Sequence, residues 1–170
     1  MNYLGSLTPL VDTDDLLSEL VEALERDLEL LAVLRYRLTV LGALATADQG
    51  PSIPTAVREV ETAYEALRIE ELVRSSATVL VADHFGLDPT LRLEELAAQT
   101  SGGWSEVLLE RRRMIIESVT GIQALVNSVS ATMGRRIVLT EEALAFLRSD
   151  GAATYGRNAA RGGIFVEGAL

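Results

Sequence analysis

Apolar residues recur at steps of three and four over three long windows of the chain, the period of helices that bury one face. In the first window they are Leu17, Leu20, Leu24, Leu28, Leu31, Leu34, Leu38 and Leu41, close to a heptad seam. Leu16, Val21, Leu30, Val33 and Val40 widen that stripe, as expected for a helix with two neighbours. The pattern predicts a helix over about 14–46, with Thr13 as N-cap and Asp14 and Asp15 favourably placed in the first turn. Asp48-Gln49-Gly50-Pro51 stops it.

The four prolines, Pro9, Pro51, Pro54 and Pro89, all fall at boundaries, which leaves the windows uninterrupted. A second helix is predicted over about 53–85, with Pro54 in the first turn, where its missing N–H costs nothing. Its stripe reads Ile53, Val57, Val60, Tyr64, Leu67, then Val73, Ala77, Leu80 and His84. The slip between Leu67 and Val73 resembles a heptad stutter. Glu70 and Arg74 are spaced to pair at i, i+4 on the wet side, and Gly86 is a left-handed cap. A short connector helix is expected at about 93–99. A third long helix follows over about 104–149, with a seam from Trp104 through Leu108, Ile115, Val119, Ile122, Val126, Val129, Met133 and Ile137 to Leu144 and Leu147. Gly134, followed by Thr140-Glu141-Glu142, marks a candidate hinge or restart. From Gly151 the Gly- and Ala-rich chain reads as a flexible tail, 151–170.

These elements predict an all-α fold: an elongated antiparallel three-helix bundle or coiled coil over 1–150, with a connector helix and a mobile C-terminal tail. At 1.5 Å per residue the three long helices span roughly 50, 50 and 68 Å. The third is then expected to overrun the others by about three turns. The overrun carries Ile137, Val138, Leu139, Leu144, Phe146 and Leu147, apolar residues that need a partner from outside the bundle or a fold-back.

Composition narrows the functional classes. The 170 residues are 48% hydrophobic, enough for a packed core, and only 5% aromatic. The formal charge is −10 and every basic residue is Arg. An acidic surface repels phosphates and anionic headgroups, so neither nucleic acid nor membrane insertion is expected. No run of about 18 apolar residues and no basic, apolar leader is visible, so the expected location is cytoplasmic.

Catalytic equipment is missing. The absence of Lys and Cys removes Schiff-base, Walker-type and thiolate chemistry, and the lone His84 excludes histidine clusters. Glu-x-x-His does not occur, because Val81 stands three residues before His84. Asp83 beside His84 points about 100° away on a helix, so the pair is not an acid/base couple. Glu70-Glu71 and Glu94-Glu95 read as solvated helix faces. Arg111-Arg112-Arg113 is expected to pair with helix carboxylates, Glu117 among them, and Trp104 to plug one end of the core. No enzyme, metal or cofactor is expected.

The helical windows resemble the FlgN-like family of bacterial flagellar export chaperones for hook-associated proteins, in its high-GC form. The resemblance lies in the Leu-rich opening helix from Asp15-Leu16-Leu17 to Arg37-Leu38, and in Arg58-Glu59-Val60-Glu61 with Leu67-Arg68-Ile69-Glu70-Glu71-Leu72. It continues in the connector Phe85-Gly86-Leu87-Asp88-Pro89-Thr90-Leu91-Arg92-Leu93-Glu94-Glu95-Leu96-Ala97, in Trp104 and Leu108-Leu109-Glu110-Arg111-Arg112-Arg113, and in the tail Thr154-Tyr155-Gly156-Arg157. It covers roughly residues 14–157. It implies a cytosolic chaperone that holds the C-terminal helices of hook–filament junction proteins and delivers them to the flagellar export gate. Client binding is then expected on the C-terminal part, at Met133, Ile137, Leu144, Phe146 and Leu147, and gate docking at Tyr155. The alternative is a self-associating coiled coil, a homodimer through the same overrun with no client.

Overall fold

The computed structural model describes residues 12–47 and 49–150, the last eight by their backbone alone. Four α-helices follow one another: α1 (Thr13–Thr46), α2 (Ile53–His84), the single-turn α3 (Leu93–Ala97) and α4 (Trp104–Asp150). The fold is an all-α helical bundle, with no strand among the described residues. Asp12, rather than Thr13, caps α1: its carboxylate accepts from the Asp14 N–H at 3.2 Å. Thr13 is used differently, its Oγ1 lying 2.8 Å from His84 Nε2 at the far end of α2.

The end of α2 is a Schellman cap. Gly86 takes φ +67°, and the Leu87 and Gly86 amides donate to the carbonyls of Ala82 and Asp83. Leu87 then packs on the core beside Val81 and Ala82. In the connector, Asp88 Oδ1 accepts from both the N–H and the hydroxyl of Thr90, which holds its carboxyl below the usual range. The Glu95 carboxylate accepts from the Arg92 N–H and closes the first turn of α3. Its far face buries Leu96 and Ala97 completely. Helix α4 continues through Gly134 without a break, and Thr140 Oγ1 donates back to the Arg136 carbonyl instead of capping a new helix.

The chain divides into two compact units, 1–133 and 134–170. The first holds three clusters of buried side chains. Leu17, Leu20 and Leu24 of α1 meet Val81 and Ala82 of α2, Leu96 of α3 and Leu108 of α4. Leu31, Leu34 and Leu38 meet Ala63 and Ile122. Leu41 meets Ala56 and Val129. As α1 advances, α2 is met in reverse order and α4 in the same order, so this unit is an up-down-up bundle. Each fully buried Leu contributes roughly 1.5–3 kcal/mol.

Between the first and second clusters the seam turns polar. The seam of α1 alternates three and four through Leu17, Leu20, Leu24, Asp27, Leu31, Leu34, Leu38, Leu41 and Ala45, with Ala23 buried beside it. Asp27, not Leu28, therefore faces the interior, with a side chain only 7% exposed. Arg74 Nε donates to its Oδ2 at 2.6 Å, while Oδ1 has no partner. One turn away Arg26 donates to Glu70 at 2.7 Å. The expected Glu70–Arg74 pair does not form, because each residue reaches across to α1 instead.

That layer also removes the stutter from α2. Ala63, Leu67, Glu70, Arg74, Ala77 and Val81 form an unbroken 4-3-4-3-4 succession of buried or half-buried positions, with polar residues at two of them. Tyr64, Val73 and Leu80, expected in the stripe, are 49%, 45% and 51% exposed, and the burial falls on Ala63, Val81 and Ala82.

Candidate functional site

The arginine triplet and Trp104 fasten the start of α4 and are thereby occupied. Arg111 reaches Glu25 of α1 at 2.8 Å, Arg112 reaches Glu94 of α3 at 2.9 Å, and Arg113 binds Glu110 and Glu117 on its own helix at 2.6 Å each. Hydrogen bonding from Arg113 holds the Glu110 carboxyl below its ordinary range. Trp104 packs its ring on the first cluster and donates its indole N–H to Asp14 at 2.8 Å. These groups are consumed by structure. Among the described residues no three His, Asp or Glu side chains converge on a point that holds a metal ion.

What remains for recognition is apolar surface. Within the first unit the inward row of α4 runs from Leu108 through Ile115, Ile122 and Val129 to Met133, with Val126 packed beside it, whereas Val119, expected on the seam, is 45% exposed. Met133 is half-buried against the cluster of Leu41, Ala56 and Val129, so it belongs to the edge of a core. In the second unit, the next turn of α4 presents Ile137, Val138 and Leu139, which are 60%, 52% and 64% exposed. Successive helical residues are turned by about 100°, so these three side chains cover more than half the circumference of the helix. Three adjacent β-branched or γ-branched side chains left in water form a hydrophobic band.

The sequence placed Ile137 in the candidate site and it is exposed there. Val138 and Leu139, which the sequence placed on the overrun but not in the candidate site, belong to the same band, since the seam follows one line along a helix. Leu144, Phe146 and Leu147 lie on α4, but their side chains fall outside the described ones, and Tyr155 lies outside the described residues. Arg136 and Glu141 flank the band with opposite charges.

A second apolar surface lies wholly within the first unit, in the groove between α1 and α2. Ala23, Val73, Ala77, Leu72 and Leu80 line it, with Glu19, Glu22 and Arg26 along the α1 side. Leu72 is 72% exposed, the most open large apolar side chain among the described residues. The sequence reading missed this groove because it assigned Val73 and Leu80 to the core. A signal was available: a strict 3-4 alternation from Ala63 to Val81 leaves Ile69, Leu72, Val73 and Leu80 without a place inside.

Comparison with known proteins finds no matching family model, no matching curated protein and no matching solved structure. None of the described helices is long and apolar enough to cross a membrane.

Proposed function

We propose that the protein is a cytosolic, non-catalytic chaperone of flagellar export. In this reading it holds the C-terminal helices of hook-associated proteins until they reach the export gate. The observation that carries this reading is the solvent-exposed band Ile137–Val138–Leu139 on α4. An amphipathic client helix covers such a band by laying its own apolar face along it. Leu144, Phe146 and Leu147 extend the sequence pattern toward the C-terminus, and Met133 supplies an adaptable edge. The resemblance over roughly residues 14–157 supplies the client class, and Tyr155 is the residue it assigns to docking on the gate. A charge of −10 suits a carrier that must stay soluble while holding a sticky client.

The test is co-purification of the full chain with the C-terminal helices of the hook–filament junction proteins from the same cell. A one-to-one complex is expected, and Ile137→Asp combined with Leu139→Asp should abolish it without changing the helical circular dichroism. A stable homodimer that ignores those helices would replace this reading with a structural coiled coil.

A further inference from the structure

The groove between α1 and α2 has the features of an interrupted seam. Along its α2 side Leu72, Ser76 and Leu80 line the groove at steps of four, and Ile69 precedes them by three residues on the same helix face. Ile69, Leu72, Val73 and Leu80 are 58%, 72%, 45% and 51% exposed. Small residues, Ala23, Ser76 and Ala77, form the floor, so an approaching backbone can come close. Knobs spaced in this way fit the holes of a further helix, and not an extended strand, whose side chains alternate with a period of two.

Charge selects among helices. Asp15, Glu19, Glu22 and Arg26 follow each other at steps of four, three and four, one row along α1 beside the groove. Arg26 is spent internally, bound to Glu70 at 2.7 Å and lying 3.9 Å from Glu22. Asp15, Glu19 and Asp83 form no ion pair among the described residues, and all three are exposed. The row therefore keeps uncompensated negative charge at the end of the groove nearest the start of α1. A second copy of the chain is a poor occupant, since each copy carries −10 and brings the same acidic row.

We propose that this groove docks one amphipathic helix of another protein, apolar on the face it buries and bearing Lys or Arg along the edge that lies over Asp15 and Glu19. The occupant adds a fourth helix beside α1 and α2. It gains contact from the exposed Leu72 and Leu80, and its cations meet carboxylates that now face water. This surface shares no residue with the Ile137–Leu139 band and does not rest on the export reading.

The experiment uses the full chain and two fluorescent designed peptides of about four helical turns, each with the same Leu seam. One peptide carries Lys along the seam's edge, the other Glu, and binding is read by anisotropy. The Lys peptide should bind and the Glu peptide should not. Leu72→Asp should weaken the Lys peptide by roughly tenfold or more, as expected for loss of a central apolar anchor. Asp15→Arg with Glu19→Arg should reverse the preference toward the Glu peptide. Glu141→Arg with Glu142→Arg, neither of which lines the groove, changes the net charge equally and should alter binding by less than about threefold. Equal losses from both charge-reversal pairs would overturn the proposal, since attraction would then follow net charge alone. It would also fall if Leu72→Asp left binding intact while Ile137→Asp with Leu139→Asp removed it. A wild-type dimer in sedimentation that Leu72→Asp converts to monomer would assign the groove to a second copy and overturn it too.

Discussion

Asp27 shows what a single residue decides. Burial pushes its carboxyl above the ordinary carboxylate range, and attraction to Arg74 only partly opposes that rise. The sign of the stability effect follows. Between the unfolded value of 3.8 and the raised folded value, the folded chain binds more protons than the unfolded one. Asp27's contribution is therefore greatest below the unfolded pKa and is lost as pH rises through the folded pKa. Urea unfolding of wild type and Asp27→Asn, compared between roughly pH 4 and pH 6, should show the variant gaining on wild type as pH rises. Equal pH slopes would show that Asp27 titrates alike in both states. Gly42 decides spacing in the same local way: a Cβ there meets Val129 Cγ2 at 3.1 Å, on the facing helix. Gly42→Ala should be nearly neutral in thermal melts, because a helix-propensity gain of about 1 kcal/mol offsets the tight approach. Gly42→Leu should cost about 1–3 kcal/mol, since a flexible methyl can shift and an isobutyl group cannot find room.

At the scale of elements, legibility depended on whether the period was carried by apolar residues. Helix α1 is nearly all Leu at its seam, and the repeat could be followed from Leu17 to Leu41 with one error on the seam, the choice of Leu28 over Asp27, and one beside it, Val33, which is exposed. Reading by hydrophobicity alone prefers the nearest Leu, whereas the alternation of three and four points to 27. Helix α2 was harder, because its interior side is made of Ala56, Ala63 and Ala82 with Val81, and its seam passes through Glu70 and Arg74. Small and charged residues are weak hydrophobic signals, so the stripe drifted onto Val73 and Leu80. The exposed groove was lost with it. The ends were plain in the sequence where backbone chemistry is demanding, as at Gly86, and obscure where two adjacent residues can both cap, as at Asp12 and Thr13. The polar layer itself is testable as an element. Asp27→Leu with Arg74→Leu should raise stability by about 1–4 kcal/mol, because a well-packed apolar pair avoids the desolvation of two charges. Arg74→Ala alone should lower it, because Asp27 is left buried without its cation. If both variants lose stability equally in thermal melts, the pair contributes more through its geometry than its burial costs.

At the scale of the whole chain, the division at residues 133 and 134 separates what folds the protein from what the proposed function uses. Among the described residues, all three buried clusters draw on positions up to Met133, including the half-buried Met133 itself. The exposed Ile137, Val138 and Leu139 contribute to none of them. Ending the chain after residue 133 should therefore leave a cooperative thermal transition, since the apolar burial that opposes chain entropy is retained. On the proposed reading the same shortened protein should no longer hold a hook-protein helix, because the Ile137–Leu139 band is gone. The two readouts separate two explanations that loss of binding alone would confuse. A shortened chain that melts cooperatively and does not bind places recognition in 134–170. One that melts cooperatively and still binds moves the client to the first unit, where the α1/α2 groove is an exposed apolar surface able to receive it. A chain that loses its transition would mean that residues beyond 133 stabilise the bundle, and Ile137→Asp with Leu139→Asp in the full chain should then lower its melting temperature as well.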